Sequence, residues 1–304
     1  MTSNQSHKAV VFGSISIDKI VNKYGAFSNV LGGSAAYALL ANKKNTCELV
    51  GVVGNDFQQK HFNLLSGHSI STNSLTKLDG NTFCWGGEYK NDFNTRVTHV
   101  THLNVLEFYK PSINKGSINF DLVMLGNLDP VIQMDIYSQV KNDNNFVILD
   151  TMNYWIEKTQ KELFEIICKV NLVVINDEES KMLGKSDSIE ECAKNILSCG
   201  PDYIIIKKGS HGAELFSKHQ RSAIPALDNI KVVDPTGAGD SFVGGVCGYL
   251  ALQPSISFKE IHNAMIHGAV IASFCIEEFG LARLQKISKE NIDKRIKTFA
   301  KHLL

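Results

Sequence analysis

The chain has no apolar run long enough to span a bilayer, no excess of either charge and no Cys-x-x-Cys pair. Each absence removes a class of function. A membrane-spanning helix needs about 20 consecutive apolar residues. The polar opening 1–8 lacks the apolar centre of a secretory signal, so a cytoplasmic location is expected. Lys plus Arg and Asp plus Glu both number 31 in 304 residues, so nothing global calls for nucleic acid or an anionic membrane as partner. The seven cysteines are dispersed and odd in number, which reads as reduced, mostly buried thiols rather than a disulfide framework. His99 and His102 stand three apart on a segment read as extended; they point to opposite faces and do not readily share a metal. Also missing are a G-x-x-x-x-G-K-[ST] loop, the protein-kinase loop signatures, and a G-x-G-x-x-G turn beginning at Gly13.

What is present is alternation. Segments 8–15, 49–53, 121–125, 146–149, 172–175 and 203–206 read as short buried strands, and 33–41, 131–140 and 161–170 as helices. That rhythm predicts an α/β fold: a doubly wound, mainly parallel sheet with helices on both faces, and ligands at the carboxyl ends of its strands. Segment 83–106 breaks the rhythm, being rich in Thr, Val and aromatics without helical periodicity. It reads as a β-hairpin turning at Asn91-Asp92. With an extended piece near 17–30 it would form a small β-sheet lid inserted into a single domain of 304 residues.

The run DPTGAGDSF, from Asp234 to Phe242, carries the chemistry. The short β-branched segment 230–233 reads as a strand before it, and apolar residues recur at helical spacing after it. Gly237 and Gly239 then lie in a turn that opens a helix. There the first N–H groups lack partners and the positive end of the dipole favours an anion. In this reading the amides of Gly237, Ala238 and Gly239 hold charge on a transferred phosphoryl group, and Asp240 takes the proton of an attacking hydroxyl. Read alone, the same run is a strand-to-helix turn capped by Asp240.

The motifs GSISID (13–18), LGGSAAYAL (31–39), GVVGNDF (51–57), NDEES (176–180), IIIKKGSHGA (204–213) and DPTGAGDSF, in this order, resemble the PfkB, or ribokinase-like, sugar and nucleoside kinases over nearly the whole chain. The resemblance implies a ribokinase-like fold with Asp240 as catalytic base and the three amides as anion hole. It implies that Asp18 binds acceptor hydroxyls, with Gly32 and Gly33 letting the acceptor approach the backbone. Asn176 and Glu179 match an Asn-x-x-Glu that organises Mg2+ largely through water, although the same residues read alone cap a helix. Lys207 and Gly209 fall where relatives contact nucleotide, and Asn263 and His267 on the helix that flanks adenine; His267 reads equally as a packed helix residue. Asp234 and Thr236 match positions that hold a monovalent cation, such as K+, in relatives.

Two departures bear on the acceptor. Tyr37 stands where ribokinases carry an Asn that binds sugar hydroxyls, and Ser34 where many carry Lys, which argues against ribose. Phe83 and Trp85 are two apart and would share a face of the hairpin, there to stack on a nucleobase or to pack the lid. With GGSAAY, NTFCW and DTMNYW, the pattern is most similar to a branch that includes nucleoside kinases. The expectation is an ATP- and Mg2+-dependent kinase acting on the primary hydroxyl of a nucleoside or sugar. The rivals are a carbohydrate kinase for a hexose or sugar acid, and a non-catalytic ligand-binding regulator. GTP as donor and a homodimer through the lid stay open.

Overall fold

The computed structural model describes residues 8–42, 47–68, 70–90, 93, 96–113 and 120–301. Among the described residues thirteen strands are present: β1 (Ala9–Phe12), β2 (Ser16–Asn22), β3 (Gly25–Gly32), β4 (Cys47–Val53), β5 (Ile70–Lys77), β6 (Cys84–Tyr89), β7 (Arg96–His102), β8 (Leu122–Leu125), β9 (Phe146–Asp150), β10 (Leu172–Asn176), β11 (Tyr203–Lys207), β12 (Ala213–Ser217) and β13 (Arg221–Ile224). Nine of them form one sheet in the order β13-β12-β11-β10-β9-β8-β1-β4-β5. Every pair from β5 to β11 is parallel, and only the β11–β12 and β12–β13 pairs, at one edge, are antiparallel.

The helices are α1 (Ser34–Ala41), α2 (Gln59–Ser66), α3 (Pro130–Val140), α4 (Asn153–Lys158), α5 (Gln160–Ile167), α6 (Asp177–Gly184), α7 (Ile189–Leu197), α8 (Ala238–Leu250), α9 (Phe258–Cys275), α10 (Ala282–Lys286) and α11 (Lys289–Ala300). Because side chains alternate across a strand, the continuous apolar runs feed two cores. Val11, Met124, Ile148, Val174 and Ile205 pack with α1, α8 and α9 on one face. Val10, Val123, Leu149, Val173 and Ile206 pack with α3, α5 and α7 on the other. No helix among the described residues is long and apolar enough to cross a membrane.

On the first face, helices α8 and α9 touch almost backbone to backbone: a Cβ on Gly245 would stand 2.9 Å from the Cα of Gly268. Such close contact fixes where α8 begins, at the carboxyl edge of the sheet.

The segments read as a lid form a second, four-stranded sheet in the order β3-β2-β6-β7. The β2–β3 and β6–β7 pairs are antiparallel hairpins, and the central β2–β6 pair is parallel. The expected turn at Asn91-Asp92 lies outside the described residues. At its base the second hairpin is tied to the loop after β4, because Asp56 Oδ1 accepts both the Thr82 N–H (2.7 Å) and its hydroxyl (2.6 Å).

One expected strand is absent. Segment 230–233 pairs with no sheet; instead the N–H groups of Val233 and Asp234 both donate to the Ile276 carbonyl, at 2.8 and 3.3 Å. Beyond the β13 edge, a loop rather than a strand satisfies this backbone.

Candidate active site

Helix α8 opens at Gly237, whose φ of 75° is left-handed and which offers no side-chain cap. Such a conformation suits glycine. A Cβ there would also collide with the ring of Tyr37 directly beneath. The Ala238 N–H donates to the Pro235 carbonyl at 3.2 Å, a correction to the expected trio of free amides. Among the described residues no acceptor meets the N–H groups of Gly237 or Gly239. Asp240 follows as the third residue of the helix. Burial pushes its carboxyl up to about 7, with the Asp150 charge adding and Lys207 and Arg96 opposing.

Three adjacent parallel strands deliver their last residues to the same place. In register, Asp150 on β9 lies opposite Val174, and Asn176 on β10 lies opposite Lys207 on β11. Lys207 Nζ stands 3.3 Å from Asp150 Oδ1. The same ammonium would be 3.2 Å from a Cβ on Gly239, so it fronts the open end of α8. Burial alone would lower the Lys207 pKa, but Asp150, Glu179 and Asp240 around it raise it and keep it charged. Burial pushes Glu179 up to about 7, against the pull of Lys207, and raises Asp150 likewise.

Three carboxyls gather around the Lys207 ammonium, and burial raises all three, so a bound cation would favour their ionised forms. Among the described residues no three His, Cys, Asp or Glu side chains converge on one metal position. A Mg2+ ion here would take its remaining ligands from water and phosphate, as its chemistry favours.

Asn176 and Glu179 form a capping box at the start of α6: Asn176 Oδ1 accepts the Glu179 N–H (2.7 Å), and Glu179 Oε2 accepts the Asn176 N–H (2.8 Å). Each keeps a second polar atom, so capping does not exhaust the pair.

Asp18 lies across the cleft on β2. Its Oδ1 accepts the Trp85 N–H at 3.3 Å, and its Oδ2 occupies the space where a Gly32 Cβ would be. Burial pushes its carboxyl up to about 7; the neighbouring Ser16 side chain and the Trp85 amide oppose, and the charges of Asp240 and Asp234 add. Trp85 folds its ring over Gly87 and turns Nε1 to Thr98 Oγ1 at 3.4 Å. Phe83, expected beside it, instead packs into the second core.

Several expected contacts have other places. Tyr37 is 1% exposed and supports Gly237 from below, away from the cleft where its amide counterpart in relatives would act. Gly33 has φ 92°, and a side chain there would strike the Ser14 carbonyl, so the start of α1 packs directly on the loop after β1. His267 is 1% exposed, with Nδ1 3.1 Å from the Gly245 carbonyl, so it lines the α8–α9 seam rather than an open groove, while Asn263 on the same helix is half-buried. Gly209, at φ 53°, has nothing within 4 Å of a Cβ and does face open space.

Asp234 braces the turn: its Oδ1 accepts the N–H and hydroxyl of Thr236 (3.0 and 2.6 Å), and its Oδ2 accepts the Gly280 N–H (3.0 Å). Three protein donors thus hold the carboxylate expected to bind a monovalent cation.

Two residues were not singled out from sequence. Asp150 could have been flagged as an acid ending a buried apolar strand. Arg96, first in β7, lies 5.8 Å from the Trp85 ring; its charge reaches Tyr89, Asp240 and Glu179. No local pattern announces it.

Comparison with known proteins agrees with this architecture. The chain is 25% identical to the nucleoside kinase of Methanocaldococcus jannaschii over 254 residues, covering 82% of this chain and 80% of that one. It is 27% identical to the cytidine kinase of Thermococcus kodakarensis over 255 residues, covering 81% and 89%. A ribokinase II structure from E. coli in complex with ATP and Mg2+ superposes with a TM-score of 0.80 at 16% identity, covering 97% of this chain and 99% of that one. The model of the pfkB family carbohydrate kinases matches residues 6–287. Its members are phosphotransferases with an alcohol acceptor, and the chain belongs to that family.

Proposed function

We propose that the protein is an ATP- and Mg2+-dependent kinase that phosphorylates the primary hydroxyl of a nucleoside. One observation carries the reading: Asp240 is buried beside the open amides of Gly239 and Gly237, with the Lys207 ammonium fronting the same helix end. Asp240 removes the proton as the hydroxyl attacks. The two amides and Lys207 stabilise the charge that develops on the transferred group, and being fixed in advance they need no reorganisation. Bound Mg2+ would neutralise charge on the phosphate oxygens, with Asp150 and Glu179 as its outer protein shell, largely through water. Asp18 receives the acceptor's sugar hydroxyls, and the small sheet above it excludes water that would otherwise consume ATP.

The nucleoside choice rests on Trp85, whose backbone N–H bonds Asp18 and whose ring is an aromatic surface on the same small sheet, and on the nucleoside and cytidine kinases among the relatives. The second reading is a carbohydrate kinase for a hexose or sugar acid, favoured by the family's wider membership, fructokinases included. A non-catalytic regulator would have no use for a buried base facing an anion site. The position and bonding of Asp234 give no reason to require K+.

The test is an ADP-release assay with ATP and Mg2+ over nucleosides, pentoses, hexoses and sugar acids. Turnover should be fastest with a nucleoside. Fastest turnover with a hexose or sugar acid supports the second reading, and no turnover with any acceptor supports the regulator.

A further inference from the structure

The loop that follows α9, residues 276–281, touches both sides of the cleft. On the phosphate side, the Ile276 carbonyl accepts the Val233 and Asp234 N–H groups, and the Gly280 N–H donates to Asp234 Oδ2 at 3.0 Å. Asp234 in turn holds Thr236, next to the Gly237 turn. On the acceptor side, the Phe279 ring lies 3.8 Å, centroid to centroid, from Phe27 on β3. A Cβ on Gly280 would stand 3.2 Å from Val30 Cγ1 on the same strand. Strand β3 then runs on to Gly32, which packs against Asp18.

The loop is itself held firmly. Glu277 is bonded by Arg295 (2.7 Å) and Arg283 (3.1 Å), and the Arg295 guanidinium lies 3.4 Å from the centre of the Phe274 ring. A second tie joins the same two sides, from Asn22 Nδ2 on β2 to the Val233 carbonyl at 3.2 Å.

We propose that Phe279 is a positioning residue that couples the small sheet to the anion site, so that filling the phosphate end of the cleft tightens the acceptor-bearing strand β3. The inference rests on the kinase reading above. Phe279 acts through others: its ring holds β3, and its neighbour Gly280 holds the carboxylate that braces the Gly237 turn. A packed contact of this kind passes on a displacement because interiors are close-packed and yield little. By linkage, what nucleotide does for the strand, acceptor on the strand does for nucleotide.

The experiment is hydrogen exchange on the full chain with ADP and Mg2+ as the probe. Peptides covering 25–32 are followed in the parent, Phe279→Ala and Phe279→Leu, and the ADP affinity of each is measured in parallel. In the parent, ADP should slow exchange in this segment about fivefold or more, the lower end of typical coupling between sites. Phe279→Ala should bind ADP within a few-fold of the parent yet lose that protection, and Phe279→Leu, which keeps an apolar contact, should recover part of it. Should Phe279→Ala fail to fold, Phe27→Ala breaks the same contact from the strand side and must give the same loss. ADP binding that leaves 25–32 unprotected in the parent, or protects it equally in parent and alanine variants, overturns the inference alone. A parent that does not bind ADP overturns the kinase reading and this inference with it.

Discussion

Lys207 Nζ and Asp150 Oδ1 meet at 3.3 Å across the carboxyl ends of β11 and β9, with β10 between them. A pair this deep gains little from attraction alone, because each ion has lost its water. Its value here is placement: it holds a cation against the open end of α8. Lys207→Met should therefore lower kcat by about 10²–10³, the scale of removing one fixed donor to a developing anion. It should also destabilise the fold by about 3–5 kcal/mol, because Asp150 is left buried without its partner. Steady-state kinetics and urea unfolding check the two effects separately.

Asp240→Asn should retain ADP binding and lose about 10²–10⁴ in kcat, the usual contribution of a positioned base. Turnover within a few-fold of the parent in the folded variant would remove Asp240 from that role.

The same residue makes a pH prediction. Its folded-state pKa is raised to about 7, from an ordinary value of 3.8, chiefly by burial. Between those values the folded state binds more protons than the unfolded state, so this group's contribution to stability falls as pH rises through that window. Asp240→Asn should thus melt higher than the parent at pH 8, and the gap should narrow toward pH 5. Activity runs the other way, since the base must be ionised. The parent's kcat/KM should fall as pH drops through about 7, more steeply if Asp18 and Glu179, also raised to about 7, must be ionised too. A flat profile from pH 6 to 8 would contradict this.

Glu179→Gln separates the two jobs of its residue. A glutamine can still accept the Asn176 N–H and complete the capping box, so the fold is kept while the charge is lost. The Mg2+ concentration for half-maximal rate should rise by several-fold. An unchanged Mg2+ titration would leave Glu179 a helix cap alone.

The alternation of strands and helices was legible because buried parallel strands such as LVVIN and YIIIK are apolar up to their last residue and punctuated by turns. The helix opening at Gly237 was legible for a local reason: two glycines stand just ahead of an apolar run at helical spacing, although the strand expected before them is a loop. Residues defined by tertiary register were not. Asp150 gains its meaning only when β9 and β11 flank β10, and Arg96 only when the second hairpin folds back over the cleft. His267 shows the converse. Its place in the helix was readable, but whether that face met a ligand or α8 depended on how closely Gly245 and Gly268 let the helices approach. Segment 230–233 had the composition of a strand and lacked a neighbour to pair with.

Trp85 offers a test of the acceptor class. Trp85→Ala should weaken nucleoside binding by about 1–3 kcal/mol, the scale of base stacking lost on truncation, and barely alter binding of a free pentose. Equal losses for both, measured by calorimetry, would make Trp85 a packing residue and favour the carbohydrate reading.

The most direct measurement is of the product itself. The protein is incubated with ATP, Mg2+ and an equimolar mixture of cytidine, adenosine, inosine, ribose and fructose, and the phosphorylated species are identified and timed by mass spectrometry, with Asp240→Asn alongside. The account predicts a nucleoside monophosphate, esterified at the primary hydroxyl, appearing first and in step with ADP, and almost none from the variant. Ribose or fructose phosphate forming ahead of every nucleoside monophosphate, or equal yields from parent and variant, would contradict it.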